Sequence, residues 1–514
     1  MVCRSRSASI GLRARAGGVY LDLDLDGGEP MAADAVMARA DGEIEAGLGR
    51  LVEWLRIPSV GTDPAHAGDT RRAAEWLCDQ FRSVGIDARL EETGTAEKPG
   101  HPIVWAQHEG DADYAGPHVL FYGHYDVQPA DPVELWDTGP FDPAIVEAED
   151  EGDPSKPGRR VVARGACDDK GQVATFLEAC RAWHAEHGRV PIRVTLMIEG
   201  EEESGSENLE RFVAEREAEL RACDVCVISD TGMLDRQTPA ITTGVRGIVA
   251  TEVILHGPDQ DLHSGQWGGR VPNPLNELTK MLAGLWDADR RVAIPGFYEG
   301  VIEPTAADRK GWAELGMDAS ASLEKVGLPP EADVGEAGWT AIEREWARPT
   351  AEINGIIGGY TGDGFKTVIP THALAKVSFR LVAEQDPKRI GELFGAWLQE
   401  RTPAGLRLEY RDHGGGWPGN VASDSPFVQV AVRALEKARP GTPPALIKTG
   451  GSIPVVGLLK GKLGLDTVLV GFGLDDDRVH SPNEKFEIAC YELGVRTHAA
   501  LIGEFAAMGA ASRA

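Results

Sequence analysis

Short, almost wholly apolar runs alternate with helix-length segments through the first half of this 514-residue chain. No other feature constrains the fold as much. The runs fall at 118–122, 160–163, 192–198 and 225–229, and a helix-like segment at 171–187 separates the second from the third. Two amphipathic segments precede them, at 41–56 and 70–84, ended by Ile57-Pro58 and by Gly85. Strands alternating with helices in this way predict an α/β domain with a largely parallel central sheet. After Gly244 the texture changes. Residues 248–256, 373–382 and 406–411 read as strands, 273–287 and 387–399 as helices, and 294–356 as a long stretch containing Pro and Glu. That order predicts a small α+β module packed on one face. The α/β texture resumes near Ser425 with a helix, passes Gly450-Gly451-Ser452 and reaches a strand at 467–471. The chain is too long for one core. We therefore expect a larger domain made of 31–244 and 420–514, with 245–419 inserted into it. Residues 1–30 are rich in Arg and Ser and lack the apolar stretch of a secretory signal. They are expected to be a disordered or misassigned extension, with the domain starting near Met31.

Chemistry gathers just beyond the strand-like runs. His124-Tyr125-Asp126 follows the first, Asp168-Asp169 the second and EGEEESGSE (199–207) the third, then come Ser229-Asp230 and, past the last strand, Asp476 and His480. Ligands of open α/β sheets bind at the carboxyl ends of strands. Four carboxylates within residues 199–203 repel one another, and the chain already stands at net charge -29. Such a cluster needs a cation. Taken singly, His124 reads as a loop histidine and the acidic run as a solvated turn or helix start. Five strand ends delivering such residues together read as a metal site. Imidazole with carboxylate suits zinc, manganese or cobalt, and more than four such ligands imply two metals bridged by a carboxylate.

The acidic balance argues against nucleic acid or an anionic membrane as partner, and no apolar run is long enough to span a bilayer. Seven cysteines without a secretory signal point to a reducing, cytoplasmic setting and free thiols. The lone CxxC, Cys223 to Cys226, lies in a strand-like run and reads as buried small hydrophobes.

Seven motifs, in order along the chain, resemble the M20 metallopeptidase family, within it most of all the cytosolic nonspecific dipeptidase and carnosinase branch. They are HYDVQP (124–129), RGACDDKG (164–171), EGEEESGS (199–206), DLHSG (261–265), TVIP (367–370), GGSIP (450–454) and HSPNE (480–484). The resemblance implies a mostly parallel-sheet, two-metal catalytic domain with an inserted α+β lid and dimerisation domain. It implies two divalent ions per subunit, zinc foremost, with manganese or cobalt as alternatives. His124 and Asp230 would hold one, Glu203 and His480 the other, and Asp168 would bridge them, with a cis peptide on to Asp169. Asp126 would fix the tautomer of His124, and Glu202 would be the general base.

For substrate, the resemblance assigns the carboxylate to Arg380, which lies on the strand face opposite Val377, Phe379 and Leu381. Ser452 would add donors, and His413 would contact substrate. In a homodimer formed through the inserted domain, His263 and Thr367 would reach the partner's active site, His263 stabilising the oxyanion. The implied reaction is hydrolysis of dipeptides or related small amides that carry a free carboxylate. Thr449 stands where close dipeptidase relatives often have an acidic residue, which keeps open an N-acyl amino acid amidohydrolase. A noncatalytic metal-binding scaffold is a third reading. Intact Asp126, Glu202 and five ligand positions weigh against it.

Overall fold

A computed structural model of the chain describes residues 11–15, 18–22, 33–149 and 157–508. The expected N-terminal extension lies largely outside the described residues; within it Gly11–Arg15 and Gly18–Asp22 pair antiparallel.

Four parallel strands form the middle of a nine-stranded sheet, in the order Thr467–Leu469, Val225–Ile228, Val119–His124 and Val194–Glu199. Their side chains are buried on both faces, which is why the sequence runs apolar without alternation. Phe121, Leu196 and Ile198 join the cluster containing the helices Ala33–Leu55, Lys170–His187 and Ile488–Ala507. Leu120, Tyr122 and Met197 face the opposite layer, made by Leu209–Glu215 and Pro454–Leu463. Strands of mixed direction widen the sheet: Ile103–His108 and Arg89–Glu91 on one side, Ala240–Val245 with Gly419–Asn420 and Ala445–Thr449 on the other.

One expectation is corrected. The run at 160–163 does not enter this sheet. Pro157–Val162 instead pairs antiparallel with Ala144–Glu149 and Lys485–Glu487 in a separate three-stranded sheet. Its two arginines, Arg159 and Arg160, are only half-buried, which suits a side sheet and not a doubly covered core. Four ends of central strands, not five, therefore deliver the polar residues, and Asp168 arrives from the flank.

Residues 247–416 carry a second sheet, all antiparallel, ordered Thr350–Gly358, His372–Leu381, Gly247–His256, Arg407–Gly416. Its apolar face, with Val249, Val253, Val377, Phe379 and Leu381, packs against the helices Pro274–Ala283 and Pro387–Arg401. The first of these strands begins within the Pro- and Glu-containing stretch 294–356, where the sequence reading placed no strand. Its pairing shifts register between Ile353 and Gly355, so the bulge at Asn354-Gly355 interrupts the alternation that marks a strand. Helices Ala306–Glu314 and Ala341–Ala347 in the same stretch each begin with a capping box, Thr305 with Asp308 and Thr340 with Glu343. Arg246 alone separates the last residue of Ala240–Val245, in the large sheet, from the first of Gly247–His256, in the small one.

Six cysteines among the described residues are free and buried, Cys223 and Cys226 included. No helix among the described residues is long and apolar enough to cross a membrane.

Candidate metal centre

His124 ends its strand, Glu203 follows the next one by four residues and Asp230 stands two beyond Val225–Ile228. Asp168 and His480 come from loops. Two triads result, His124 with Asp168 and Asp230, and Asp168 with Glu203 and His480; the ligand atoms of each lie within 4.8 Å of one another. Asp168 belongs to both. Its Oδ1 is 3.0 Å from His124 Nε2 and its Oδ2 2.9 Å from His480 Nε2. Asp230 Oδ2 is 3.6 Å from His124 Nε2, and Glu203 Oε2 is 3.2 Å from His480 Nε2. The peptide bond between Asp168 and Asp169 is cis.

Each imidazole nitrogen thus faces two carboxylate oxygens, an arrangement that demands positive charge. Burial pulls the His124 pKa down, yet Asp126, Asp168 and Asp230 push it well above the ordinary value. Asp168 and Glu203 push His480 up to about 10. Burial would raise Asp168, but both histidines hold it far below the usual carboxylate range. A divalent ion at each triad would supply the positive charge that these carboxylates call for. Nitrogen with carboxylate oxygen, converging on two neighbouring points, fits zinc, manganese or cobalt.

The acidic run resolves into separate tasks, which corrects the expectation that a cation compensates all of it. Glu199 is fully buried, accepts from Tyr122 Oη at 2.5 Å and Ser206 Oγ at 2.9 Å, and is pushed up to about 8, first by burial. Glu201 accepts from the amides of His101 (2.8 Å) and Asn208 (3.1 Å). Glu207 pairs with Lys98 on the surface. Only Glu203 joins a metal-ready triad. Glu202 belongs to neither triad; burial, with Asp230 and Glu203 adding and His124 opposing, pushes it up to about 7.

A layer of polar residues fixes these groups. His124 Nδ1 is 3.1 Å from the Asp126 carbonyl and 3.4 Å from its Oδ1. The same carboxylate accepts from the amides of Glu202 (3.3 Å) and Glu203 (3.0 Å), so Asp126 positions both the histidine and the acidic turn. Gln128 Nε2 donates to Glu203 Oε2 at 2.8 Å. Glu484, fully buried, accepts from Arg164 Nη1 (2.8 Å) and the amides of Gly165 (2.9 Å), Cys167 (2.9 Å) and Asp168 (3.1 Å). The sequence reading gave no role to Gln128 or Glu484, although HYDVQP and HSPNE contain them. Asp476, also past a strand end, pairs with Arg236 and Lys485 instead of entering a triad.

Arg380 Nη1 donates to Ser452 Oγ at 2.8 Å, and Ser452 Oγ donates to the Arg246 carbonyl at 2.5 Å. The Arg246 amide donates to the Gly451 carbonyl at 3.0 Å. The small sheet thus meets the Gly450–Ser452 turn directly. His263, Thr367 and His413 are exposed and belong to neither triad. His263 Nδ1 accepts from the Gly265 amide at 3.0 Å, and the Thr367 carbonyl accepts from the Ser264 amide at 3.1 Å. Thr449 Oγ1 accepts from the Gly451 amide at 3.2 Å.

The model for peptidase family M20/M25/M40 matches residues 120–504. A Cys-Gly metallodipeptidase, DUG1 of Candida albicans, is 30% identical over 462 residues, 87% of this chain and 92% of that protein. The human Beta-Ala-His dipeptidase is 29% identical over 475 residues, 89% of each chain. The crystal structure of the M20 family metallo-carboxypeptidase Sso-CP2 from Sulfolobus solfataricus superposes with a TM-score of 0.72 at 31% identity, covering 90% of this chain and 99% of that one.

Proposed function

Because this chain belongs to peptidase family M20/M25/M40, we propose that it hydrolyses dipeptides, or related small amides bearing a free carboxylate, in a metal-dependent reaction. The observation that carries this reading is the pair of triads sharing Asp168 with Glu202 free beside them. A protein that only bound metal would have no use for a half-buried carboxylate outside both triads whose own amide Asp126 holds.

His124, Asp168 and Asp230 would hold one divalent ion and Asp168, Glu203 and His480 a second, zinc foremost. When bound, such ions supply Lewis acidity and make water at that point easier to deprotonate. Glu202 takes the proton of the attacking water and returns it to the leaving amine. Asp126 keeps His124 and the amide of Glu202 in register. Arg380 and Ser452 orient the substrate carboxylate, with His413 as a further contact.

The small sheet is the lid and also the dimer contact. Its edge strand Thr350–Gly358 exposes Ile356 and Ile357, and no charged residue occurs from 353 to 362. An unguarded apolar edge of this kind pairs with another strand. In the dimer, His263 and Thr367 serve the partner's site, with His263 donating to the oxyanion. Buried free thiols suit the cytoplasm.

Thr449, engaged with its own turn, favours one second reading, cleavage of N-acyl amino acids. The test is an assay of zinc-, manganese- and cobalt-reconstituted protein on free dipeptides and on their N-acetylated counterparts. Faster cleavage of the free dipeptides supports dipeptidase action. Preference for the acetylated compounds establishes the second reading, and no turnover of either rejects both.

A further inference from the structure

Arg246 is a half-buried guanidinium whose neighbouring carboxylates, Glu345 and Glu352, close no ion pair with it. Its Nε donates to the Gly450 carbonyl at 3.0 Å, and among the described residues it makes no ion pair. Fully buried Arg164 and Arg348 are matched to Glu484 and Glu336, and half-buried Arg50 and Arg216 to Glu178 and Glu91, whereas half-buried Arg439 shares the Arg246 pattern, with a backbone carbonyl and no ion pair among the described residues. With 81 acidic residues against 52 basic ones, a shortage of carboxylates does not explain an unpaired guanidinium. Arg380 has the hydroxyl of Ser452 but likewise no carboxylate. Burial lowers the Arg246 pKa, Glu345 opposes this, Arg380 is close enough to lower it further, and Glu352 adds to the opposition.

Two guanidinia that close no ion pair therefore meet at one glycine-rich turn. The missing side chain of Gly450 lets Arg246 and Glu345 pack close against the turn: a Cβ there would stand 2.8 Å from Arg246 Nη2 and 3.2 Å from Glu345 Oε1. Glu345 thus stands near Arg246 without closing an ion pair. Half-buried positive charge without a partner is unfavourable until an anion arrives, and the planar fork of arginine matches a carboxylate.

We propose that Arg246 and Arg380 hold the terminal carboxylate of the substrate together, one guanidinium on each side of Ser452. The inference rests on the hydrolytic reading above. It makes Arg246 a specificity-determining residue: its Nε stays on Gly450 while its Nη groups face the incoming anion.

The test compares a dipeptide with its C-terminal amide as substrates of the zinc-loaded wild-type protein and of Arg246→Gln. Loss of one charge-assisted contact should raise KM for the free acid roughly 10- to 100-fold with little change in kcat. The amide, which has no carboxylate to lose, should be handled equally by both proteins. Arg246→Lys, with charge but no fork, should fall between; it carries the comparison if circular dichroism shows the glutamine variant unfolded. An unchanged KM for the acid, or an equal loss on acid and amide, overturns the assignment while leaving the hydrolase reading intact. A wild-type protein inactive on dipeptides and N-acetyl dipeptides alike overturns that reading and this inference with it.

Discussion

Glu484→Gln converts one buried carboxylate oxygen into an NH2 group while conserving volume. The native carboxylate takes two donors on each oxygen: Arg164 Nη1 at 2.8 Å and the Gly165 amide at 2.9 Å on Oε2, the Cys167 amide at 2.9 Å and the Asp168 amide at 3.1 Å on Oε1. Whichever way the glutamine turns, two N–H donors face a third. Arg164, 1% exposed, also loses its counter-charge, keeping only the Pro129 carbonyl and the Trp136 ring. Burial, then Asp168, pushes the Glu484 carboxyl up to about 7 against the pull of Arg164. A proton on it would still meet an N–H, so this pocket holds the ionised form. Breaking such a buried pair costs about 3–5 kcal/mol. Glu484 also ties the Asp168 amide to the loop of His480, four residues before it. Loss of an orienting partner of this kind lowers metal affinity about 10- to 100-fold. Urea denaturation of the metal-free protein measures the first effect, and zinc titration against a competing chelator the second. A stability change under about 1 kcal/mol with unaltered zinc affinity would refute the reasoning.

Glu202→Gln should keep its metal content by elemental analysis and lose about 10²–10⁴ in kcat; near-normal turnover would remove Glu202 from the mechanism. Mixing His263→Ala with Glu202→Gln under subunit exchange should restore activity, because a mixed dimer leaves one shared site intact, and silence despite proven exchange would assign His263 to its own chain. Two buried histidines should take stability away on acidification below about pH 6.5, where unfolded histidine takes up protons, while the raised carboxyls of Glu199 and Glu202 add stability over the same range. Burial, with Arg193 adding, holds folded His118 down to about 4, and burial holds His498 down to about 3. The unfolded state binds protons first, so each histidine removes about 2 kcal/mol by pH 5 and nothing above pH 7. Denaturation at pH 7 and pH 5 should show that His498→Gln gains about 2 kcal/mol at pH 5 relative to wild type, once the two are compared at pH 7; an identical change from pH 7 to pH 5 would exclude His498 as a source.

The convergence of His124, Asp168, Glu203, Asp230 and His480 was legible because each follows a strand or a short recognisable motif. The parallel core was legible for a related reason, since burial on both faces leaves an unbroken apolar run. What escaped was set at long range. Gln128 meets Glu203 across 75 residues, Glu484 meets Arg164 across 320, and Arg246 meets Gly450 across 204. No local pattern announces such pairings. The edge strand Thr350–Gly358 escaped because its bulge breaks the period of two. The acidic run was misjudged as one electrostatic problem because sequence places its carboxylates side by side, whereas the fold gives Glu199, Glu201 and Glu207 separate partners.

The crossing at Arg246 has a mechanical side. Its amide grips the Gly451 carbonyl, its carbonyl is gripped by Ser452 Oγ, and its Nε holds the Gly450 carbonyl. A swing of the small sheet about this point cannot leave the turn behind without tearing three bonds. If the small sheet is the proposed lid, pivot and jaw are one piece, so its opening would carry the turn along and gear release of one end of the substrate to the swing itself.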